Sequence, residues 1–299
     1  MDATTTPPVT EVLARLGGVA PRARLVAACG RSVVDSALAD GRLVAVTRGV
    51  YCSAETDASR AAAASVSGVL SWRSAAMAQG WAVRTVPRKP DVTLARNRNI
   101  ARTRVAGLTV HRADLGPDDV RDGCTSPDRT LLDCLRGLPF EEALAVADSA
   151  LRAGFPAGRL AALARDARGP GSAAVRRVAA VADGRAANPF ESSLRAICLE
   201  VDGLEVTPQH TVRAPHWLGT PDLADVRLEI ALEADSFEWH GDRAALHRDA
   251  RRYNAFVAAG WLVLRFSWEE VMFHPKRVRA VLEAVVARRS QPCSCGAAA

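Results

Sequence analysis

Apolar residues recur at helical spacing in three short stretches near the start of the chain, and a glycine follows each stretch. This pattern predicts helices over residues 11–16, 22–28 and 33–39. Thr10 and Ser32 stand just before the first and third of these helices, where a side-chain oxygen can accept from a free backbone amide, so we expect both to be helix caps. Two β-branched runs follow in residues 43–51 and are separated by Arg48-Gly49, which predicts a β-hairpin.

Three helices and a hairpin are the element order of a winged helix-turn-helix. On this interpretation helix 33–39 reads DNA, and Arg48 lies in the wing, where it can contact a phosphate. The alternative is a small helical module that serves only for packing, because helix-turn-helix look-alikes are common. Either way, residues 1–56 are expected to form one N-terminal domain.

Residues 57–183 alternate helix and strand patterns, which predicts an α+β middle domain. Helices are expected over residues 61–68 and 72–80, and Ser126-Pro127-Asp128 starts another. Asp133 and Asp148 fall in amphipathic helices, where packing and surface polarity are sufficient explanations.

Residues 84–111 are expected to form a basic β-meander, with strands at 91–94 and 107–111. The loop between these strands carries four arginines, at positions 96, 98, 102 and 104. Arg96 and Arg98 are candidates for contact with a phosphate backbone. A solvated β-hairpin without a ligand is the alternative.

A stretch rich in alanine, glycine, serine and arginine over residues 165–187 marks the join to a last domain, residues 188–289. The apolar pattern there predicts the order helix, strand, strand, strand, helix, strand, helix. The elements before the final helix are expected at 191–201, 205–211, 221–222, 228–235, 243–259 and 261–266.

Strand 228–235 has strict alternation, so its two faces carry different chemistry. One face takes Leu228, Ile230, Leu232 and Ala234, and the other takes Glu229, Ala231, Glu233 and Asp235. Residues 261–266 form a nearly continuous apolar run, which is typical of a buried central strand. Gly260 is expected to cap the preceding helix.

The net charge is +6 with an isoelectric point near 9.2, and the basic excess is almost entirely arginine. Arginine pairs well with phosphate, so DNA is the first partner to consider. No apolar run is long enough to span a membrane and no leader precedes the first domain, so we expect a cytoplasmic protein without a membrane partner. The seven cysteines lack zinc-ligand spacing, which indicates reduced thiols.

The last domain resembles the PD-(D/E)xK nuclease superfamily, and within it the very-short-patch-repair endonuclease branch. Pro221-Asp222 fits the first half of the motif, and Glu233-Ala-Asp235 fits the second. Trp239-His240 and the run after Gly260 also match. The resemblance implies a restriction-endonuclease-like α/β core that hydrolyses DNA phosphodiester bonds.

One departure from this resemblance concerns the superfamily's lysine, which stands two residues after the second acid. Here Asp235 occupies that position. Repair-type relatives also lack the lysine and use nearby histidines, which makes His240 the compensating group. Glu191 fits the acidic residue that the first helix often supplies, although a carboxylate in a first helical turn also has an ordinary helix-stabilising role.

Asp222, Glu233 and Asp235 would repel one another unless a cation neutralised them. Carboxylate oxygens suit Mg²⁺ or Mn²⁺, which would activate water and neutralise phosphate. His240 would then act as general base or general acid. The alternative is that each of these carboxylates is simply solvated at a strand end.

Arg248 and Arg252 lie one helical turn apart and are expected to face the phosphate backbone together. At the other end of the chain, the stretch from Gly18-Val-Ala-Pro-Arg22 to Arg48-Gly-Val-Tyr51 resembles the N-terminal winged helix of AbiEi-type antitoxins. The resemblance implies a DNA-binding domain linked to autoregulation, followed by an antitoxin-like middle domain.

These observations predict a mixed α/β protein with an N-terminal winged helix, an α+β middle domain, a restriction-endonuclease-like core and a disordered tail over 290–299. The expected function is a divalent-metal-dependent DNA endonuclease related to repair or defence. The alternative is a non-enzymatic, antitoxin-like DNA-binding regulator, which the missing lysine favours. A scaffold for a protein partner or a homodimer is a third possibility.

Overall fold

The structure of the protein, a computed structural model, describes residues 8–16, 18–53, 57–213, 216–235 and 243–291. His240 and residues 292–299 of the predicted tail lie outside these described residues. The chain is mixed α/β, as expected, and it divides into two compact units. The first unit comprises Met1–Trp81 and Thr85–Cys134, and the second comprises Ala82–Arg84 and Leu135–Ala299. No described helix is long and apolar enough to cross a membrane.

The first unit begins with three helices and a β-hairpin in the predicted order, together with a short strand, β1, that was not predicted. Its elements are α1 (Val9–Arg15), β1 (Val19–Pro21), α2 (Arg22–Cys29), α3 (Arg31–Ala39), β2 (Leu43–Thr47) and β3 (Val50–Ser53). Strand β3 pairs with both β1 and β2. Gly49, at φ 79°, supplies the left-handed backbone that the β2–β3 turn requires. Leu13, Leu25 and Val34 form the centre of the core beneath.

The two predicted helix caps are wrong. Thr10 lies inside α1, which begins earlier because Val9 is fully buried in the core. Ser32 lies inside α3, which begins directly after Gly30. Gly30 has φ 85°, and this single left-handed residue makes the break between α2 and α3, so no side-chain cap separates them.

The rest of the first unit is built around a mixed five-stranded sheet. Its elements are α4 (Ala58–Ser65), β4 (Val69–Leu70), α5 (Trp72–Ala78), β5 (Asp91–Leu94), α6 (Arg102–Val105), β6 (Thr109–Arg112), a 3₁₀ turn (Pro117–Asp119), β7 (Val120–Arg121), β8 (Cys124–Thr125) and the start of α7 (Pro127–Gly137). The strand order is β6-β5-β4-β8-β7. Helices α4, α5 and α7 confirm the expected helical segments within a few residues.

The predicted β-meander over residues 84–111 is wrong, because β5 and β6 run parallel. Parallel neighbours cannot be joined by a tight hairpin and need a crossover connection. Here the crossover contains α6, and Ile100, Val105 and Leu108 pack from it against the core under the sheet. The arginine loop is therefore a crossover connection rather than a hairpin.

The second unit contains the other sheet of interest. Its elements are α8 (Phe140–Arg152), α9 (Ala157–Asp166), α10 (Ser172–Val181), α11 (Pro189–Cys198), β9 (Thr207–Pro208), β10 (Val212–Arg213), β11 (Trp217–Gly219), β12 (Leu223–Asp225), β13 (Ile230–Asp235), α12 (Arg243–Ala258), β14 (Leu262–Ser267), α13 (Trp268–Phe273) and α14 (Pro275–Arg289). The main sheet has the order β14-β13-β12-β9, and β10 pairs with β11 in a separate ribbon. Strands β13 and β14 are parallel, and the other pairs are antiparallel.

The alternation predicted along 228–235 is confirmed, because the two faces of β13 enter different cores. Ile230 and Leu232 are fully buried against α11, α13 and α14. Ala231 packs with Phe256 of α12 and with Trp261 on the opposite face. The sheet is therefore covered by helices on both sides, and Glu233 shares the α12 side with Ala231.

Residues 135–183 belong to the second unit, although the sequence grouped them with the middle segment. Helix α8 makes its most extensive packing contact with α11. Asp148 of α8 is fully buried, so surface polarity does not explain it. Both of its carboxylate oxygens accept from Arg195 Nη2 of α11 at 2.7 Å, and Arg195 Nη1 donates to the carbonyl of Val181 at 2.6 Å. This buried ion pair fixes α11 on α8.

Arg195→Met should therefore leave a buried carboxylate without its cation. We expect the free energy of unfolding at neutral pH to fall by about 3–5 kcal/mol, measured by urea unfolding with tryptophan fluorescence. The control is Arg279→Met, which breaks exposed ion pairs with Glu200 and Glu283 and should cost about 1 kcal/mol or less. Equal losses in the two variants would contradict the structural role of the Asp148–Arg195 pair.

Candidate functional site

Three acidic residues predicted from the sequence meet at one end of the main sheet of the second unit. Asp222 immediately precedes β12, and Glu233 lies near the end of β13. The antiparallel register pairs Leu223 with Leu232, which makes Asp222 and Glu233 cross-strand neighbours. Glu191 approaches from the first turn of α11.

Helix α11 begins where it does because Asn188 caps it. The Asn188 side-chain oxygen accepts from the backbone amides of Phe190 and Glu191 at 2.9 and 3.0 Å. Pro189 occupies the first helical position, where its missing amide costs nothing. The cap also reaches the acid, because Asn188 Nδ2 donates to Glu191 Oε1 at 2.8 Å. Glu191 is thus held in one position and is almost fully buried.

Gln209 ties two of the carboxylates together. Its side-chain Nε2 donates to Glu191 Oε2 at 3.0 Å and to Asp222 Oδ1 at 3.3 Å. Its backbone amide also donates to the carbonyl of Asp222 at 2.9 Å. Gln209 has φ 51°, a conformation that non-glycine residues rarely adopt. The amide of Ala234 completes the arrangement by donating to Asp222 Oδ2 at 2.8 Å.

Burial raises the pKa of all three carboxyl groups. For Glu191 and Asp222 the hydrogen bonds from backbone amides and Gln209 oppose this effect without cancelling it. The pKa of Glu233 is raised to about 7, because burial outweighs the attraction of Arg252 and the charge of Asp222 adds to it. The cluster therefore holds more negative charge than its own surroundings fully stabilise.

Two arginines and a tyrosine line the side of the cluster next to α12. Arg252 Nη2 lies 3.3 Å from Glu233 Oε1 and donates to the Tyr253 hydroxyl at 3.1 Å. Arg265 of β14, which lies beside Glu233 in the parallel register, pairs with Asp235. Both guanidinium groups also stack on the Tyr253 ring.

Asp235 thus lies at the end of β13 as predicted, but its carboxylate is held by Arg265. In the described part of the chain, no group of three carboxylate, imidazole or thiol side chains is arranged to hold a metal ion. The donor chemistry of the Asp222–Glu233 pair nevertheless fits a hard divalent cation, since both present carboxylate oxygens in a largely buried place. His240, the predicted general base or acid, lies outside the described residues.

The arginines predicted to contact DNA lie in different surroundings. In the second unit, Arg248 is exposed on α12, whereas Arg252 is ion-paired with Glu233. In the first unit, Arg48 is exposed at the β2–β3 turn. Arg96 is exposed and lies 3.8 Å from a carboxylate oxygen of Asp114, while Arg98 is half-buried in the crossover.

Gln209, Tyr253 and Arg265 were missed from the sequence. The position of Arg265 was accessible in principle, because it is the charged residue inside an apolar strand. Gln209 follows a two-residue strand, and its left-handed backbone leaves no periodic signal. Tyr253 lies on a helix in which many residues are polar, so nothing in the pattern distinguishes it.

Comparisons with known proteins leave the family open. No known protein-family profile matches the chain. Two uncharacterized proteins of Mycobacterium tuberculosis, MT2308 of strain CDC 1551 / Oshkosh and Rv2248 of strain ATCC 25618 / H37Rv, are each 30% identical over 162 residues. Each match covers 52% of this chain and 59% of the relative, so the chain spans less than two thirds of these relatives.

A solved structure, that of the RV2827C protein from Mycobacterium tuberculosis, matches with 16% identity and a TM-score of 0.32. The match covers 62% of this chain and 78% of that one. A likeness this distant carries no argument about the fold or the site.

The raised pKa of Glu233 predicts a pH dependence of stability without added metal. Its folded pKa of about 7 lies above the ordinary value of 4.5, so the folded protein binds the extra proton between these values. The stabilisation is complete below pH 4.5 and is lost as the pH rises through 7. Relative to Glu233→Gln, the wild-type free energy of unfolding should fall by roughly 2–3 kcal/mol across this window.

The measurement is urea unfolding at pH 4.5–8 in EDTA. Glu283→Gln, a change to an exposed carboxylate on α14, is the control and should follow the wild-type profile. Parallel profiles for wild type and Glu233→Gln would show that Glu233 titrates normally.

Proposed function

We propose that the second unit is a divalent-metal-dependent nuclease domain that hydrolyses phosphodiester bonds in DNA. The observation that carries this proposal is the convergence of Glu191, Asp222 and Glu233 at one end of the sheet, with all three carboxyl pKa values raised. Acidic groups that a fold keeps together despite burial and mutual repulsion are typical of functional sites. Hard carboxylate oxygens favour Mg²⁺ or Mn²⁺ as the missing cation.

Asp222 and Glu233 would hold the ion, and Glu191 would support Asp222 through their shared hydrogen-bond donor, Gln209. A bound divalent ion would supply Lewis acidity toward water and phosphate oxygens. Asp235 remains part of the proposed site. Because it is paired with Arg265, we expect it to orient that arginine rather than to bind the ion. His240 is retained as the proposed acid or base on the strength of the sequence resemblance alone.

The element order of the second unit supports this proposal. Helix α11, strands β9, β12 and β13, helix α12 and strand β14 occur in the order expected for a restriction-endonuclease-like core, with the β10–β11 ribbon inserted between β9 and β12. The positions of the acids agree with the resemblance: Glu191 lies on the first helix, Asp222 immediately before β12 and Glu233 near the end of β13. Exposed Arg248 on α12 adds positive charge for a DNA backbone.

A non-enzymatic DNA-binding regulator is the second candidate, and one observation favours it. The order of α1, β1, α2, α3, β2 and β3, with an antiparallel β2–β3 hairpin and an exposed Arg48 at its turn, supports a winged-helix role in DNA binding. The absence of the motif lysine at position 235 points the same way. DNA binding that persists in EDTA is expected in both cases, so metal-dependent cleavage separates them.

Asp222→Asn tests the nuclease proposal. The change keeps the side-chain shape but removes the charge that would hold the cation, so Mg²⁺- or Mn²⁺-dependent cleavage should fall at least ~10²-fold. Stability should change by no more than about 1 kcal/mol, because loss of one accepted hydrogen bond is offset by relief of carboxylate repulsion. The measurement is plasmid nicking, with thermal melting of the same preparations.

Asp202→Asn, a change to an exposed aspartate, is the matched control and should cleave like wild type. Failure of the wild type to cleave duplex, mismatched or single-stranded DNA with either ion would favour the regulator. A large fall in the melting temperature of Asp222→Asn would show that Asp222 is a fold residue.

A further inference from the structure

The position of the motif lysine is occupied by a residue of the opposite charge. Asp235 stands there, and Arg265 pairs with it. This arrangement leaves the acidic site without the positive charge that the superfamily obtains from strand β13. Any replacement must come from another element and must reach Glu233.

Arg252 is the basic side chain that makes this contact. It extends from α12, and its Nη2 atom lies 3.3 Å from Glu233 Oε1. Its side chain is 30% exposed, whereas that of Glu233 is only 9% exposed. One part of the guanidinium group therefore faces the acid while another remains accessible to a ligand from solvent. Its exposed neighbour Arg251 makes no hydrogen bond or ion pair with the cluster among the described residues, so it provides a control.

The path of the Arg252 side chain is fixed by its neighbours. A Cβ atom at Gly219 of β11 would lie 3.4 Å from Arg252 Cδ and 3.2 Å from Phe256, so the absence of a side chain there leaves room for the arginine stem. The Tyr253 hydroxyl accepts from Nη2, and the Tyr253 ring lies 5.0 Å below the guanidinium carbon. The arginine is thus oriented before any ligand arrives.

The hydrogen-bonding capacity of Arg252 is also incompletely used. Its Nε atom is buried and has no hydrogen-bond partner among the described residues. The solvent-accessible part of this guanidinium group, beside a carboxylate cluster, matches a phosphate oxygen, which accepts charge-assisted hydrogen bonds from arginine. Lysine would offer only a point charge at this place.

We infer that Arg252 supplies from α12 the positive charge that the motif lysine supplies from β13, as a catalytic residue that binds a non-bridging oxygen of the DNA phosphate at Glu233. The inference rests on the proposed nuclease function for its role in cleavage. Its phosphate contact does not depend on cleavage and can be measured separately.

The experiment uses the full chain and compares Arg252→Met, Arg252→Lys and the double variant Asp235→Lys/Arg252→Met. Arg252→Met should lower kcat by roughly 10²-fold with a smaller change in KM, as expected for a contact made mainly in the transition state. Arg252→Lys and the double variant should each recover at least about tenfold of that loss, because both return a positive charge to the site. Arg251→Met, one position away, should cleave like wild type.

Two further readouts do not require cleavage. In EDTA, Arg252→Met should bind a short DNA duplex about tenfold more weakly, measured by fluorescence anisotropy, because a charged hydrogen bond to phosphate is lost. By calorimetry, it should bind Mn²⁺ at least as tightly as wild type, because Glu233 no longer has a competing cation. Thermal melting identifies any variant whose loss comes from unfolding.

If Arg252→Met cleaves DNA at the wild-type rate, the inference is overturned. Loss of cleavage that neither lysine variant recovers would also overturn it, since the role would then be structural rather than electrostatic. If the wild type cleaves nothing, the proposed function fails and duplex binding alone decides. Weaker binding by Arg252→Met then supports the phosphate contact, and unchanged binding overturns it.

Discussion

Carboxylate repulsion in a poorly solvated place is the constraint on which the second unit depends. Glu191 and Glu233 are almost fully buried, and Asp222 lies between them. Each lost hydration shell must be replaced by hydrogen bonds or by opposite charge. Backbone amides and Gln209 provide the hydrogen bonds, and Arg252 provides the charge in contact with Glu233. The pKa of Glu233, raised to about 7, indicates that this compensation is incomplete, and the proposed divalent cation would complete it.

The remainder of the unit positions these groups. The Asp148–Arg195 ion pair fixes α11 on α8 and so places Glu191. The antiparallel β12–β13 pair brings Asp222 opposite Glu233, and the parallel β14 strand places Arg265 beside them. Helices cover both faces of the sheet, so solvent has limited access to the end of the sheet where the acidic residues lie. The left-handed backbone of Gln209 places its side chain between Glu191 and Asp222.

Local patterns predicted much of this arrangement, and long-range pairings account for what they missed. The alternation along β13 identified the face that carries Glu233, because strand periodicity is a local property. The parallel pairing of β5 with β6 is not local. The sequence pattern therefore predicts a hairpin where the structure has a basic crossover connection. The role of Asp148 in a buried ion pair could not be predicted from its helix pattern, because its partner, Arg195, is distant in sequence. The contact of Asp235 with Arg265 was not predictable for the same reason. It joins β13 to β14, which are neighbours in the sheet but are separated along the chain by α12.

Binding of Mn²⁺ to the intact protein, measured by isothermal titration calorimetry, tests the central claim most directly. The account predicts that the wild type binds the ion, that Asp222→Ala and Glu233→Gln abolish binding, and that Asp235→Ala retains it because Arg265 already occupies that carboxylate. Melting curves in EDTA identify any variant that fails to fold. A wild type that binds no Mn²⁺, or binding that survives the loss of Asp222, would contradict the account.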